Sequence, residues 1–305
     1  MASTEIRPAR PEDREAVLAF CMHTWDWGDY IESVWDEWLH DPQGKMYVAT
    51  VDGRPVAVSR FRMLTPTEAW LEGMRVDPAY RQRGLATAIN TVMLAEAQRR
   101  GATVARLMTE STNTLAIRVI ERGRMRQVGA LAPFKAMPLP TPPRSQYGLE
   151  TPELATSADV GAIIAYLNAS NIFPAVGGLY YVGFAAYAIT GAVVEAKVAE
   201  QQVYLLRRWD RLDGLAFAEP RQGWQGHYLS IGYIDGTTEA ISLIAYALRR
   251  MIIAMQLESI YANVPDLIMV RDAFVGAEYE WDGKVFYTYE RQLPNETAPL
   301  APRDA

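Results

Sequence analysis

The segment that most constrains the fold joins a β-strand to a helix through a short loop rich in arginine. Residues 69–76 are mostly apolar and predict a strand, and from Gly84 onward apolar residues recur at helical spacing. The loop between them reads VDPAYRQRGLA. Free backbone amides and the positive end of the helix dipole meet at such a junction, which therefore suits an anion. Arg81 and Arg83 can add bonds to a phosphate, and Gly84 lets the backbone approach it closely.

The elements around this loop predict a mixed α/β unit. A strand and helical segments come first, and Asp52-Gly53 between two β-rich runs then predicts a hairpin. After the loop and its helix, ATVARLMTES predicts a strand, NTLAIRVIERGR a helix and MRQVGALAPFKAM one or two closing strands. Strands thus alternate with helices after an antiparallel start, so the fold class is α/β with a mixed sheet.

The chain falls into two halves around a proline-rich segment. Five prolines lie within residues 138–152, where they oppose both a helix and a full strand ladder. The second half repeats the plan in outline, with β-rich runs around Asp213-Gly214 and a long helix from Thr238. The domains predicted are 1–138, a linker at 139–152, a second domain at 153–293 and a flexible tail at 294–305.

Residues 172–194 contain no charge over the length of a membrane span. They also contain Pro174 and several glycines, and they lack a Lys/Arg cluster at either end. This composition favours a buried helix-loop-helix over a transmembrane helix. We therefore predict no membrane partner.

Composition excludes several other classes of function. The net charge of -6 over 305 residues gives no basic footprint, so nucleic acid is not an expected partner. Cys21 is the single cysteine and the N-terminus has no signal-peptide pattern, which predicts a cytoplasmic protein. The three histidines are isolated, so no metal site is predicted.

The run MRVDPAYRQRGLATAI resembles the acyl-CoA signature of the GCN5-related N-acetyltransferase (GNAT) superfamily, whose loop reads (R/Q)-x-x-G-x-(G/A). Here the loop is Arg81-Gln82-Arg83-Gly84-Leu85-Ala86, preceded by a V-x-P and followed by NTLAIRVIERGRMRQVG in family order. The resemblance implies a GNAT fold in two tandem copies, with a mostly antiparallel sheet flanked by helices. The second copy looks degenerate, because its loop at residues 234–239 holds two acids and no arginine.

The resemblance also implies acetyl-CoA as co-substrate. Backbone amides of the loop would bind the CoA pyrophosphate, the strand edge would pair with the pantetheine arm, and Asn113 would lie near that arm. A backbone N–H near Met74 would polarise the acetyl carbonyl. The cofactor-binding residues expected on this basis are Met74, Arg75, Val76, Arg81, Gln82, Arg83, Gly84, Leu85, Ala86 and Asn113.

The activity implied is transfer of an acetyl group to a primary amine by direct attack through a tetrahedral intermediate. Glu72 stands where many family members have a catalytic glutamate that accepts the amine proton, and Glu110 is the second candidate. Ile120 stands where the family usually has a tyrosine that protonates the leaving thiolate, and Tyr147 is one of several tyrosines that could replace it. The alternative function is a non-catalytic acyl-CoA-binding sensor or protein-interaction module.

The acceptor side is suggested by MHTWDWGDYIESVWDEWLHD, which holds four of the eight tryptophans and six acids without Lys or Arg. An acidic, aromatic rim would favour a cationic amine. An amphipathic helix with buried tryptophans and a solvated acidic face explains the same pattern. The acceptor could be a small molecule or a peptide, and the uncharged stretch 172–194 could mediate a homodimer.

Overall fold

The computed structural model describes residues 3–25, 28–140, 150–223 and 226–294. Most of the predicted linker 139–152, with Tyr147, and almost all of the predicted tail 294–305 lie outside the described residues.

The first elements are β1 (Thr4–Pro8), α1 (Arg14–Cys21), α2 (Ile31–His40), β2 (Gly44–Val51), β3 (Arg54–Met63), β4 (Glu68–Val76), α3 (Leu85–Arg99), β5 (Val104–Glu110), α4 (Thr114–Arg122) and β6 (Arg126–Ala136). The remaining ones are β7 (Glu153–Leu154), α5 (Val160–Ala169), α6 (Ile172–Ala175), β8 (Leu179–Val182), β9 (Ala185–Ala188), α7 (Gly191–Ala199), β10 (Val203–Arg208), β11 (Arg211–Gly223), β12 (Gly226–Gly236), α8 (Thr238–Ala254), β13 (Ser259–Pro265), α9 (Ile268–Gly276), β14 (Glu280–Trp281) and β15 (Phe286–Gln292). Short 3-10 turns occur at Pro11–Asp13, Pro78–Tyr80 and Ser157–Asp159.

The chain forms two compact units that are not simple halves of the sequence. The first unit comprises the described residues of Met1–Leu107, Asn113–Arg126 and Tyr289–Ala305, and the second those of Met108–Thr112 and Gln127–Thr288. Strand β15 therefore counts with the first unit from Tyr289 on, and β6 counts with the second from Gln127 on. The boundaries 1–138 and 153–293 stay a prediction about the domains.

The sheet of the first unit runs in the order β1-β2-β3-β4-β5-β15. Strands β1 to β4 pair antiparallel, and β4 pairs parallel with β5 after the crossover through α3. Side chains alternate between the two faces of a strand. Val58 of β3 packs with α1 and α2, whereas the ring of Phe61 lies under Arg100 at the end of α3. Helices thus cover both faces of this sheet.

The second unit has a sheet in the order β6-β13-β12-β11-β10-β7. It too contains a parallel pair, β12 with β13, joined through the long helix α8. One core cluster of this unit is built on α8, which buries Ile241, Ile244 and Leu248. The predicted mixed α/β fold with a mostly antiparallel sheet flanked by helices is confirmed.

The uncharged stretch 172–194 does not form the predicted helix-loop-helix. That prediction was wrong: the four-residue helix α6 is followed by a β-hairpin of β8 and β9, and helix α7 begins only at Gly191. Gly177 and Gly178 have positive φ angles of 63° and 66°, which ends the helix after its first turn. In the described part of the chain, no helix is long and apolar enough to cross a membrane.

One of the two predicted hairpin turns is misplaced. Asp52-Gly53 does connect β2 with β3, as predicted, but the turn between β10 and β11 lies at Trp209-Asp210, with φ angles of 46° and 59°. Gly214 instead lies inside β11 under helix α8, where an added Cβ would be 3.0 Å from the Cβ of Ala240. The glycine therefore allows helix α8 to pack closely on the sheet and does not form a turn.

A buried ion triad joins three strands of the first unit. Arg106 of β5 donates from Nη1 to Glu68 of β4 at 2.6 Å and from Nε to Glu290 of β15 at 2.8 Å. All three side chains are nearly excluded from water. A cation between two buried carboxylates is hard to lose, because each carboxylate would then be left unpaired in a low-dielectric interior. The triad thus fixes the C-terminal strand to this unit.

We expect Arg106→Met to lower the free energy of unfolding by about 3–5 kcal/mol, because Glu68 and Glu290 then lose their buried counter-charge. Denaturant unfolding of the whole chain measures the change. The triple variant Glu68→Leu, Arg106→Met, Glu290→Leu should regain most of the loss. A single variant within about 1 kcal/mol of the wild type would contradict this role of the triad.

Candidate active site

Strand β4 contains a β-bulge just before its end. Arg60 of β3 is opposite Glu72 of β4. Two residues earlier on β3, Val58 is opposite Arg75, which lies three residues later on β4. Strand β4 therefore has one residue more than its partner, at or next to Gly73. Gly73 has a φ of 71°, a conformation that glycine adopts at little cost.

The bulge is packed under a tryptophan of helix α2. A Cβ added to Gly73 would lie 2.5 Å from Cζ3 and 2.8 Å from Cη2 of Trp38, which is too close for any side chain. Trp38 is itself buried. Glycine is therefore required here both by the backbone angle and by the ring above it.

Strand β4 parts from β5 in the same region. Their parallel pairing runs from Glu68 opposite Val104 to Trp70 opposite Arg106 and does not continue, although β4 extends to Val76. Beyond Trp70 this edge of β4 no longer forms a ladder with β5. An extended ligand could form hydrogen bonds with the backbone of this open edge, as an additional strand would.

The arginine loop follows directly and ends in an uncapped helix. Gln82 and Gly84 have φ angles of 62° and 78°, and Gly84 is the N-cap residue of the 15-residue helix α3. Among the described residues, none accepts a hydrogen bond from the backbone N–H groups of residues 82–87. Several amides and the positive end of the helix dipole therefore point into the same space.

The arginine side chains of the loop lie beside this space. Arg81 donates to the carbonyl of Val76 at 3.4 Å, and Arg83 donates to that of Ala79 at 3.3 Å. Both side chains are exposed. No atom of the described residues lies within 4 Å of a Cβ added to Gly84, so these residues leave the space over it open. The loop therefore fits a polyphosphate, with amides beneath it and guanidinium groups at its sides.

A cleft of about 500 Å³ opens on the face of the sheet that carries α1 and α2. Glu72 lies in it, with Oε1 3.2 Å from Nε of Arg62 and 3.6 Å from Nη1 of Arg60. The cleft is lined by Glu37, Trp38, His40, Asp41, Pro42, Arg60, Arg62 and Glu72.

The charges in the cleft are only partly satisfied. Burial raises the pKa of Glu72, although Arg62 and Arg60 act in the opposite direction. Burial also lowers the pKa of the Arg60 guanidinium. Within the described part of the chain, Oε1 of Glu72 and the Nε atoms of both arginines are buried and have no hydrogen-bond partner. A carboxylate with a raised pKa in a cleft is a candidate proton acceptor.

Two arginines of the same unit bind acids and tryptophans of the acidic tryptophan segment. Arg75 donates to both carboxylate oxygens of Asp29, at 2.6 and 3.3 Å, and lies 4.5 Å from the ring centre of Trp25. Arg60 pairs with the carboxylate of Asp41 and lies 4.8 Å from the ring centre of Trp38. Trp35 and Trp38 are buried in the core, as the structural interpretation of the pattern expected.

The other predicted site residues lie apart from the cleft lining. Glu110 ends β5, accepts a hydrogen bond from Thr112 at 3.0 Å and counts with the second unit. Asn113 is the N-cap of α4 and accepts from the backbone N–H of Ala116 at 3.2 Å. Ile120 is buried on the same helix.

Sequence reasoning missed Arg60, Arg62 and Asp41 as neighbours of Glu72. The alternation Arg60-Phe61-Arg62 on a strand does place two arginines on one face, which is a usable signal. A glycine inside a predicted strand, as at Gly73, likewise indicates a bulge.

The second unit repeats the bulge but covers it with its own chain. Gly232 is the extra residue of β12, and a Cβ there would lie 2.0 Å from the carbonyl oxygen of Tyr181 on β8. Asn263 of β13 donates from its side chain to the carbonyl of Gly183 at 2.6 Å. The hairpin of β8 and β9 therefore contacts both strands where their parallel pairing, last seen at Ile231, has ended.

The helix that follows this second bulge is capped. Oγ1 of Thr237 accepts from the backbone N–H of Ala240 at 3.1 Å at the start of α8. Glu239 adds a carboxylate in the first turn and pairs with Arg208. An anion is disfavoured at this helix start by both the cap and the charge.

Residues 14–124 match the model described as Acetyltransferase (GNAT) family. This segment belongs to the GNAT family. The matched residues include the cleft, the bulge and the loop, so all three belong to the GNAT domain. No curated protein sequence matches the chain.

Solved structures resemble the chain over almost its whole length. A GCN5-related N-acetyltransferase from Sphaerobacter thermophilus has a TM-score of 0.58 at 13% identity, covering 95% of each chain. A putative acetyltransferase from Thermoplasma acidophilum has a TM-score of 0.55 at 15% identity, covering 95% of this chain and 100% of its own. A tandem GNAT protein from the clavulanic acid biosynthesis pathway has a TM-score of 0.51 at 11% identity, covering 95% of this chain and 98% of its own. At these identities the likeness is one of fold, and the predicted GNAT fold is confirmed.

Gly73→Ala should destabilise the GNAT domain by about 2–4 kcal/mol, because the positive φ and the contact with Trp38 each oppose a Cβ. The matched control is Gly53→Ala, whose φ of 82° is similar but whose Cβ would meet no atom within 4 Å. We expect this control to cost roughly 1 kcal/mol. Equal losses for the two variants in denaturant unfolding would show that the tryptophan contact contributes nothing.

Proposed function

We propose that the protein is an acetyl-CoA-dependent N-acetyltransferase that acts on a primary amine. The observation that carries this proposal is the set of backbone amides at residues 82–87 that no described residue accepts a hydrogen bond from. They follow a strand whose edge has separated from its neighbour. GNAT acetyltransferases use acetyl-CoA, and these residues fit its two long parts. The amides and the arginines suit the pyrophosphate, and the edge of β4 suits the amide-containing pantetheine arm.

Each expected cofactor contact has a physical reason in this proposal. The amides from Gln82 to Ala86 would bind phosphate oxygens, with the helix dipole of α3 adding to their field. The backbone N–H of Arg81 already donates to the carbonyl of Pro78 at 3.5 Å. The backbone of Met74, Arg75 and Val76 would pair with the arm. The side-chain N–H₂ of Asn113 remains available to the arm, since the cap of α4 uses only its carbonyl oxygen.

The chemical step is direct transfer. The neutral amine attacks the thioester carbonyl carbon, the carbonyl oxygen takes up negative charge, and a backbone N–H near Met74 would stabilise that oxygen in the tetrahedral intermediate. Glu72 would accept the proton of the attacking amine, and the C–S bond then breaks to release CoA. Because Ile120 cannot donate a proton, the departing thiolate would take one from water. Glu110 stays the second candidate for the base.

The second unit fits the role of a second, degenerate copy that does not bind CoA. Its bulge at Gly232 is covered by the hairpin of β8 and β9, and its helix start is capped by Thr237. This proposal predicts one CoA site per chain. The alternative of an acyl-CoA sensor predicts the same site but no turnover with any amine.

Gly84→Asp should weaken CoA binding at least about tenfold, because a carboxylate would then stand where the phosphates bind. Isothermal titration calorimetry on the full chain measures both the affinity and the expected stoichiometry of one. Gly53→Asp is the matched control, since it adds the same side chain at a similar positive φ in the turn between β2 and β3, outside the loop. Unchanged CoA affinity in Gly84→Asp would place the phosphate site elsewhere.

Glu72→Gln should lower kcat/KM about 10²- to 10⁴-fold, which is the range for loss of a general base. In the wild type kcat/KM should fall as the pH drops through the raised pKa of Glu72, because the carboxyl then carries a proton and cannot take one. This limb of the pH profile should lie above the ordinary glutamate range and should vanish in the variant. Release of free thiol from acetyl-CoA follows the rate.

Glu5→Gln, an exposed change on β1, is the control and should leave the pH profile unchanged. Near-normal activity of Glu72→Gln would assign the base to Glu110 or to water, which Glu110→Gln separates. Tight CoA binding without thiol release for any amine would favour the sensor.

A further inference from the structure

The ion pair between Glu72 and Arg62 is unusual because neither partner is satisfied by it. Their nearest atoms are 3.2 Å apart, yet Oε1 of Glu72 and Nε of Arg62 are buried and form no hydrogen bond with any residue that the structure describes. Buried polar atoms of this kind cost free energy unless a partner is supplied. Both side chains can therefore gain hydrogen bonds if a bound molecule replaces the contact between them.

Arg60 is not available for such an exchange. Its guanidinium pairs with Asp41, lies against the ring of Trp38 and is only 3% exposed. It acts as a fixed positive charge beneath the cleft. Its contacts with α2 leave Arg62 as the arginine of the cleft that a ligand can reach.

Arg62 has the properties of a ligand-binding arginine. Its side chain is 33% exposed, and among the described residues none accepts a hydrogen bond from its two terminal nitrogens. Two parallel N–H donors match the two oxygens of a carboxylate and hold them in one orientation.

The charge balance of the exchange decides which amine fits. An amine that binds as its ammonium ion beside Glu72 competes with Arg62 for that carboxylate. A simple alkylamine would then leave the guanidinium without a counter-charge in a half-buried place, at a cost. An acceptor with its own carboxylate next to the amine supplies that counter-charge, so both groups of the original pair gain a partner. Glu37 at the cleft edge adds attraction for the ammonium end.

We infer that the acceptor is a small amino acid-like molecule with a carboxylate on the carbon that bears the amine, and that Arg62 binds this carboxylate. The inference rests on the proposed function, since it concerns the acceptor of the same site. The cleft of about 500 Å³ lies within the range of small-molecule sites. Arg62 is thus the residue that determines specificity. The bound ammonium ion releases its first proton to water, and Glu72 then accepts the second when the neutral amine attacks.

The test compares acceptors that differ only in the carboxylate. The full-length protein is mixed with acetyl-CoA and with pairs such as leucine and 3-methylbutylamine, or phenylalanine and 2-phenylethylamine, and release of free thiol is followed. We expect kcat/KM to be about tenfold to a hundredfold higher for the best amino acid than for its decarboxylated partner, as for one charge-assisted contact.

Arg62→Gln should remove this preference, because it removes the charge and the paired donors. The ratio of kcat/KM within each pair is the readout, since any effect of the variant on Glu72 acts on both members of a pair equally. Arg62→Lys should keep part of the preference through charge alone. Arg54→Gln, an exposed change at the other end of β3, should leave the ratio as in the wild type.

Three results would overturn the inference. Thiol release with the alkylamines at rates equal to or above those of the amino acids rejects the amino acid-like acceptor while leaving the acetyltransferase intact. A preference that survives in Arg62→Gln rejects Arg62 as its source. Absence of thiol release with every acceptor, despite CoA binding, rejects the proposed function and this inference together.

Discussion

The extra residue that Gly73 places in β4, held under the ring of Trp38, is the constraint on which the rest of the site depends. In an uninterrupted strand, residues three apart face opposite sides of the sheet. Because the bulge lies between them, Glu72 and Arg75 both face the side that carries α1 and α2. One residue thus puts the carboxylate in the cleft and ties the strand end to Asp29. It lies where β4 leaves β5 and just before the loop that begins helix α3.

Local sequence predicted the elements that depend on local chemistry. The strand, loop and helix around Gly84 were predicted because apolar periodicity and a glycine at a helix start are visible within a few residues. The stretch 172–194 was mispredicted because an uncharged segment rich in Gly and Tyr carries no decisive period. Its hairpin is stabilised by contacts with Gly232 and Asn263, which lie far along the chain. The hairpin turn at Gly214 was mispredicted for a similar reason, since this glycine is needed for the close packing of helix α8 on the sheet and not for a turn.

The cleft was predictable only in part, for the same physical reason. Glu72 was chosen because the resemblance to the GNAT superfamily implies a catalytic glutamate at its position, and its role stays a prediction. The acidic tryptophan segment without Lys or Arg predicted a cationic amine as acceptor, which stays a prediction, but within the same unit it is Arg60 and Arg75 that contact this segment. Strand pairing brings them to helix α2 and the residues on either side of it from 19 or more residues away, which no local pattern reveals. These ion pairs neutralise Asp29 and Asp41, which would otherwise remain available to a ligand.

The two units show how little separates a ligand site from a packing site. Both contain a parallel strand pair that parts beside a glycine bulge and a long helix that follows. At the first helix the N-cap is Gly84, which has no side chain, so the amides of the first turn stay available. At the second helix the cap is Thr237, whose hydroxyl takes one of those amides, and a hairpin covers the bulge. Since both units share the bulge and the helix that follows it, they differ in whether groups of the chain itself already bind the backbone amides there. A first turn that its own chain leaves unsatisfied is the one that can bind an anion.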